Sequence, residues 1–124
     1  MYTVKRSWTT AKKTNGYASK FEAGIALDYA FEKKAKKIKD FKTQVTIPLD
    51  VNGYHICNYI IDFVVEHLDG TKEYVEAKGY KFPTWVIKWK LFEAIMSVKE
   101  PEAKLTVIMQ NSRYKVPHAK KLKK

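Results

Sequence analysis

Residues 59–78 read YIIDFVVEHLDGTKEYVEAK, and this stretch predicts a β-hairpin. Its first half is a nearly continuous run of β-branched and aromatic residues, which is typical of a strand covered on both faces. Asp69-Gly70 is a hairpin turn signal, and residues 73–78 then supply the partner strand. Asp62 interrupts the apolar run, and a buried carboxylate needs a cation or several hydrogen bonds to offset its lost hydration.

The register of this hairpin decides which side chains meet. Glu76 and Lys78 are two residues apart on the second strand and therefore share one face of the sheet. A three-residue loop at residues 69–71 places Asp62 opposite Lys78, with all three polar side chains on that face. A two-residue loop sends Asp62 to the other face. We therefore predict an odd-length loop, or a bulge that restores the same parity.

Working outward from the hairpin, the remaining sequence predicts two helices and two further strands. Ser19-Lys20-Phe21-Glu22 fits the capping-box pattern that opens a helix, and Asn52-Gly53 is a strong turn signal. Pro83 suits the first position of a second helix. The predicted elements are helices at 19–38 and 83–98, and strands at 42–49, 54–67, 73–78 and 104–110. The order α-β-β-β-α-β implies an α/β (α+β) fold with a mixed central sheet flanked by helices.

Composition narrows the class of protein. The chain has 124 residues, a hydrophobic fraction of 45% and a formal net charge of +11, which fit one folded, basic domain. No apolar run approaches the roughly 20 residues that span a bilayer, and no secretory signal is recognisable. The single Cys57 excludes an intramolecular disulfide framework. We therefore expect a cytoplasmic protein without membrane contact, and the charge favours nucleic acid as its partner.

The basic residues suggest three regions. Residues 1–17 are predicted to form a flexible basic arm, residues 18–112 the folded domain, and residues 113–124 a basic C-terminal tail. The residues expected to contact nucleic acid are Lys5, Arg6, Lys12, Lys13, Lys81 and Lys88.

The hairpin also carries the most specific chemical pattern in the chain. Two acids and a lysine on one patch of sheet form a hard-oxygen cation site beside a fixed positive charge. Mg²⁺-assisted hydrolysis of a phosphodiester needs this combination. The alternatives are a buried salt bridge between Asp62 and Lys78, and a solvated strand face for Glu76 and Lys78.

Asp62 followed by Glu76-Ala77-Lys78 on the next strand resembles the signature of the PD-(D/E)XK nuclease superfamily. The chain also resembles a phage-encoded branch of this superfamily that is similar to Holliday-junction resolvases. The stretches that carry this resemblance are SKFEAGIALDYA, YIIDFVVEHLDG, EYVEAKGY and KWKLFEA. The resemblance covers roughly residues 16–98, and Ile61 stands where the literal motif has proline. It implies a restriction-endonuclease-like core.

The resemblance also implies roles for individual residues. Asp62 and Glu76 would ligate one or two divalent ions, Mg²⁺ with Mn²⁺ as a substitute, and the Ala77 carbonyl would be a further ligand. Lys78 would orient the attacking water or stabilise charge on the phosphate. Glu22 matches an acid that many members send into the same site, although its place in the capping box offers a purely structural role.

Lys88 is a further candidate for a catalytic or phosphate-contacting role. A helical wheel places it between Trp85 and Ile95, inside the apolar face of the second helix. The alternative is a lysine whose aliphatic stem covers the core. Trp85 and Trp89 are expected in the core. Gln44 could contact the site from the first strand, but an ordinary polar strand residue is the favoured interpretation.

The leading hypothesis is a Mg²⁺-dependent DNA endonuclease, and within that class a homodimeric resolvase of branched DNA. The chain leaves no room for a separate sequence-reading domain, which favours recognition of DNA shape. Two alternatives stay open: a nuclease of the same fold acting on linear, nicked or sequence-defined DNA, and a non-catalytic basic nucleic-acid-binding module. If the protein is phage-encoded, its compartment would be the cytoplasm of an infected bacterium. No other protein partner is evident.

Overall fold

The structure is a computed structural model that describes residues 20–123. Ser19 and the predicted arm at residues 1–17, with Lys5, Arg6, Lys12 and Lys13, therefore lie outside the described residues. The elements are α1 Lys20–Lys34, β1 Asp40–Val51, β2 Tyr54–Glu66, β3 Lys72–Lys78, α2 Pro83–Lys99 and β4 Lys104–Met109. Their order confirms the predicted α-β-β-β-α-β sequence of elements.

The four strands form one mixed sheet in the spatial order β1-β2-β3-β4. The first three strands are antiparallel neighbours, and β4 runs parallel to β3 after the crossover through α2. Asn52 and Gly53 join β1 to β2 with φ angles of 52° and 83°, as a two-residue hairpin turn requires. Pro48 lies exposed within β1, which is an edge strand, so its missing N–H costs no ladder hydrogen bond. The mixed sheet with two helices is therefore an α+β fold.

Each helix covers a different face of the sheet. Tyr74 belongs to the core cluster built on α2, whereas the neighbouring Val75 belongs to the cluster built on α1. Successive strand residues point to opposite faces, so the two clusters lie on opposite sides of the sheet. The α2 cluster contains Ile47, Leu49, Tyr59, Ile61, Tyr74, Trp85, Trp89, Phe92 and Met96, and the smaller α1 cluster contains Ala26, Ile38, Phe63, Val65 and Val75.

Strand β2 changes the face that it buries at Asp62. Ile61 packs in the α2 cluster, whereas Phe63, two residues later, packs in the α1 cluster. Strand β1 changes face at the same level, where Gln44 has a φ of 52° between two regular pairs with β2. The Asp62 side chain therefore belongs to neither core cluster.

Helix α1 ends at Lys34, so the prediction of a helix reaching residue 38 is wrong. Lys36 adopts a φ of 59°, its N–H donates to the Lys33 carbonyl, and the Lys37 N–H donates to the Glu32 carbonyl. These two bonds form a Schellman motif, which usually places glycine at the left-handed position. With lysine there, the sequence carries no stop signal. Ile38 is buried after the turn rather than on the helix.

The buried face of α1 also differs from the expected one. Leu27 and Phe31, which the helical spacing assigned to the core, are 58% and 64% exposed. The buried residues of α1 are Glu22 and Ala26. Other boundaries move by at most two residues, the largest changes being the extension of β1 at both ends. No helix in residues 20–123 is long and apolar enough to cross a membrane.

The chain after β4 returns across α2. The Glu93 carboxylate accepts hydrogen bonds from the Ala119 N–H at 2.8 Å and pairs with the His118 ring at 2.8 Å. The predicted tail thus contacts the domain through Glu93, whose side chain is 18% exposed.

Replacing Lys36 with glycine should stabilise the protein. A non-glycine residue in the left-handed region costs about 1 kcal/mol, so Lys36→Gly should raise the free energy of unfolding by about 0.5–1 kcal/mol. Lys34→Gly is the matched control, because Lys34 is helical and glycine there should lower stability by about 1 kcal/mol. Urea unfolding measures both changes, and a loss of stability in Lys36→Gly would contradict the assignment.

Candidate active site

The β2–β3 turn confirms the predicted odd-length loop and corrects the predicted register. Phe63 pairs with Val75 and Glu66 with Lys72, and the His67 N–H donates to the Thr71 carbonyl at 2.9 Å. The loop is therefore residues 68–70 rather than 69–71. Continuing the register by one residue brings Asp62 opposite Glu76, so the expected pairing of Asp62 with Lys78 is wrong by two positions.

Turn chemistry explains the shift. Three-residue hairpin loops end in a left-handed residue, and Gly70 has a φ of 88°. The loop at 69–71 would have required this conformation of Thr71, whose branched side chain disfavours it. Asp69 fixes the turn by accepting bonds from the Thr71 N–H at 3.0 Å and its hydroxyl at 2.6 Å. Parity is unchanged, and Glu76 and Lys78 share one face of β3 as predicted, whereas the Asp62 carboxylate lies between the two strands rather than on that face.

The Asp62 carboxylate takes the place of a backbone acceptor between strands. The regular β2–β3 pairing extends only to Phe63 and Val75. Beyond it, Asp62 Oδ2 accepts the Ala77 N–H at 2.8 Å, and Oδ1 accepts Gln44 Nε2 at 3.2 Å. Asp62 is 8% exposed, and these donors stabilise its buried carboxylate. Gln44 therefore contacts the site, which was the less favoured of its two interpretations.

Glu76 is the most deeply buried charged residue among those described, at 2% exposure. The Tyr59 hydroxyl donates to Glu76 Oε2 at 2.6 Å and accepts the Trp85 Nε1–H at 3.0 Å. Lys78 Nζ lies 3.4 Å from Glu76 Oε1. A solvated strand face is thereby excluded for Glu76, and the lysine pairs with Glu76 rather than with Asp62.

Burial and the neighbouring Asp62 raise the pKa of Glu76 to about 8. The Tyr59 hydrogen bond and the Lys78 ammonium oppose this rise. Burial and Glu76 also raise the pKa of Tyr59 far above its usual value, so its phenol stays neutral. Without a cation between the two acids, Glu76 is therefore mostly protonated at neutral pH.

Lysines line the open side of the site. The Lys78 ammonium lies 5.2 Å from the Trp85 ring centroid, a cation–π distance. A shallow cleft there is lined by Asn58, Tyr59, Ile60, Glu76, Lys78, Thr84, Trp85 and Lys88. Lys88 is exposed on α2, so its head group reaches solvent at the cleft. The cleft is thus basic at its rim and acidic at its base.

The other predicted site residues have different surroundings. Glu22 is buried in the first turn of α1, one helical turn before Ala26 and on the same helix face. Ala77 is half-buried beside the α1 cluster, and Lys81 Nζ lies 6.0 Å from the Tyr114 ring. Within residues 20–123 no group of three or more His, Cys, Asp or Glu side chains is arranged to hold a metal ion. The ligand roles of Glu22 and of the Ala77 carbonyl stay predictions.

The donor set suits a hard divalent cation. Asp62 and Glu76 are in direct electrostatic contact, and each of their carboxylate oxygens retains a lone pair beyond the hydrogen bond that it accepts. A cation between them would offset the repulsion that raises the pKa of Glu76. These two residues therefore fit the ion that the sequence pattern implies.

Sequence reasoning missed the supporting side chain of Tyr59 and did not favour the contact of Gln44 with the site. Tyr59 is the only residue of the run at 59–65 besides Asp62 that carries a polar side-chain group, and a buried tyrosine hydroxyl needs a partner. That signal was available. Trp85 and Trp89 lie in the core as predicted, at 6% and 1% exposure, but the bond from Trp85 to Tyr59 depends on the packing of α2.

Comparisons with protein-family models, with curated proteins and with solved structures find no match for this chain.

The raised pKa of Glu76 predicts how stability depends on pH. In the unfolded chain Glu76 ionises near its model value of 4.5, whereas in the fold it keeps its proton to about pH 8. The folded state then binds more protons over this interval, so this residue makes stability fall as pH rises from about 4.5 to 8. Glu76→Gln should flatten that slope. Urea unfolding from pH 5 to 8 in EDTA measures it.

Glu66→Gln is the matched control for this titration. Glu66 lies on β2 with its side chain 41% exposed, beside Lys39 at 3.4 Å, so the same amide replacement there leaves the surroundings of Glu76 intact. Equal slopes in wild type and Glu76→Gln would contradict the raised pKa.

Proposed function

We propose that this protein is a Mg²⁺-dependent endodeoxyribonuclease with a restriction-endonuclease-like core, and that it resolves branched DNA such as Holliday junctions. The observation that carries the proposal is the meeting of Asp62 and Glu76 beside Lys78, where β2 and β3 stop pairing. Two neighbouring buried acids, of which Glu76 lies at the base of a cleft with a basic rim, favour a cation-dependent reaction on a polyanion.

The buried acids are hard to explain as structural elements. Burying Glu76 with a raised pKa opposes folding at neutral pH, and a buried ion pair is a weak source of stability. Perturbed titration in a cleft is a common property of catalytic sites. The α+β fold and the D…ExK pattern on adjacent strands point to the same chemistry.

Asp62 and Glu76 would hold the metal ion. When bound, Mg²⁺ supplies an activated water and a Lewis acid for the phosphate. Asp62 is held for this role by the Ala77 N–H and by Gln44, and Glu76 by the Tyr59 hydroxyl. Because these donors leave little rotational freedom, the two carboxylates are preorganised.

Lys78 would stabilise negative charge on the scissile phosphate and orient the attacking water. Its ammonium is positioned by Glu76 on one side and by the Trp85 ring on the other. The side chain is 27% exposed, so the charge is accessible from the cleft and only partly screened by water. Lys88, at the rim, would bind an adjacent phosphate.

The net charge of +11 supports DNA as the substrate. Lysines that neutralise phosphates release counterions, so binding should weaken steeply with salt. The preference for branched DNA is part of the proposal because the sequence words around the site resemble the resolvase branch of the superfamily.

Conservative replacement of the site residues tests the activity. Asp62→Asn, Glu76→Gln and Lys78→Met should each lower the rate of metal-dependent cleavage by about 100-fold or more, because the two acids would hold the metal ion and Lys78 would stabilise charge on the phosphate. Gel assays with Mg²⁺ or Mn²⁺, compared with EDTA, measure the rate on a four-way junction and on a linear duplex of the same sequence. Glu66→Gln is the matched control, an amide replacement on the same strand as Asp62.

The outcomes separate the alternatives. Faster cleavage of the junction supports a resolvase, whereas equal cleavage of the linear duplex supports a general endonuclease of the same fold. Tight DNA binding with no cleavage in any metal would overturn the nuclease proposal and leave a nucleic-acid-binding module.

The proposal includes a homodimer, since paired incisions in opposed strands require two active sites related by a two-fold axis. Apolar side chains outside the core support self-association: Tyr54 and Ile56, two residues apart on one face of β2, are 72% and 55% exposed. Light scattering coupled to gel filtration should give twice the mass of the chain. A single-chain mass at micromolar concentration would contradict the dimer without affecting the site.

A further inference from the structure

Three aromatic side chains cluster at the surface immediately after Lys78. Tyr80 lies 4.8 Å from Phe82 and 5.9 Å from Tyr114, measured between ring centroids. Tyr80 and Phe82 are 54% and 59% exposed, so the cluster presents ring surface to solvent rather than to the core. We call Tyr80, Phe82 and Tyr114 the aromatic cluster.

The surroundings of the aromatic cluster are basic. Lys81 Nζ lies 6.0 Å from the Tyr114 ring, and Arg113 and Lys115 flank Tyr114 in the chain. The sequence has no acidic residue from 77 to 92 or from 103 to its end, and these stretches contain the whole cluster. A ligand that matches this surface would therefore carry negative charge and flat apolar groups, as nucleic acid does.

Phe82 occupies its position at the expense of local stability. It is the N-cap of α2, with a φ of −72° and a ψ of 139°, and its side chain makes no capping hydrogen bond. Serine, threonine, aspartate or asparagine would cap the helix better. An exposed ring that displaces a cap violates a local rule of stability, and such departures concentrate at functional sites.

The aromatic cluster lies close to the proposed scissile phosphate. Tyr80 follows Lys78 by two residues, which span at most about 7 Å of extended chain. Successive phosphates of one DNA strand are about 3.4 Å apart along the helix axis. The rings are therefore within reach of the bases next to the phosphate that Lys78 contacts.

From these observations we propose that Tyr80 and Phe82 stack on unpaired bases of the DNA strand beside the cleavage site. This rests on the proposed function and narrows its substrate class to branched DNA whose branch point is open, so that unpaired nucleotides adjoin a duplex. In an intact duplex the faces of each base are covered by its neighbours, so the rings have a partner only where the strand is open. Aromatic stacking of this kind is tolerant of sequence.

Binding assays without cleavage test the proposal. Fluorescence anisotropy in EDTA compares three labelled DNAs: a blunt duplex, the same duplex with a single-stranded branch, and the single strand alone. Tyr80→Ala and Phe82→Ala should each weaken binding to the two DNAs with unpaired bases by about tenfold, and should change blunt-duplex binding less than twofold. Phe82→Trp should restore the affinity.

Two variants serve as controls. Phe31→Ala removes a comparably exposed ring from α1 and should change no affinity. Lys81→Ala removes a phosphate contact and should weaken binding to all three DNAs by a similar factor. Circular dichroism checks that each variant is folded.

Equal losses on paired and unpaired DNA, or no loss at all, would overturn the stacking proposal. Tighter binding of an RNA strand with the same dependence on Tyr80 would overturn the assignment to DNA. Because these measurements need neither metal nor cleavage, they remain decisive if the nuclease activity itself is not found. Loss of cleavage with intact stacking would refute the proposed function alone.

Discussion

The structure depends on one hydrogen bond between strands: the carboxylate of Asp62 accepts the Ala77 N–H, which a backbone carbonyl would accept in a regular ladder. A strand residue that offers its side chain to the neighbouring strand cannot also point into either core. Strands β1 and β2 both change their buried face at this level, through Gln44 and Asp62. The end of the regular β2–β3 pairing and the change of the buried face in β1 and β2 therefore belong to the same local geometry. The two acids meet there because the sheet is interrupted there.

Packing on the α2 side then determines the environment of Glu76. Trp85 and Tyr59 are both core residues, yet each directs a polar group along the chain of bonds that ends at the Glu76 carboxylate. The same Trp85 offers its ring face to the Lys78 ammonium. Hydrophobic burial and site geometry are thus coupled through one indole. Large movements of α2 would disturb both the core and the charges of the cleft.

The sequence was sufficient for the order of elements, the mixed sheet and the parity of the β2–β3 loop, because these follow from hydrophobic alternation and turn residues. It was insufficient for the register, since choosing between loops 68–70 and 69–71 required knowing which residue adopts the left-handed conformation. It was also insufficient for the end of α1, where Lys36 occupies a position that glycine normally marks. The exposure of Leu27 and Phe31 could not be foreseen either, because periodicity identifies an apolar face without identifying what covers it. The hydrogen-bond partners of Asp62 could not be assigned from the sequence for a related reason. The contact of Gln44 with Asp62 depends on how β1 pairs with β2, and nothing in the residue itself distinguishes it from an ordinary polar strand residue.

The contact between Glu93 and the segment at His118-Ala119 changes how the end of the chain should be regarded. A chain shortened after residue 112 would leave this carboxylate without two donors and would remove Lys120 and Lys121 from beside Ala94 of α2. Shortening would thus cost fold stability as well as charge. Lys120 and Lys121 belong to the architecture of the domain, and their positive charges lie against the same helix that supplies Trp85 and Lys88.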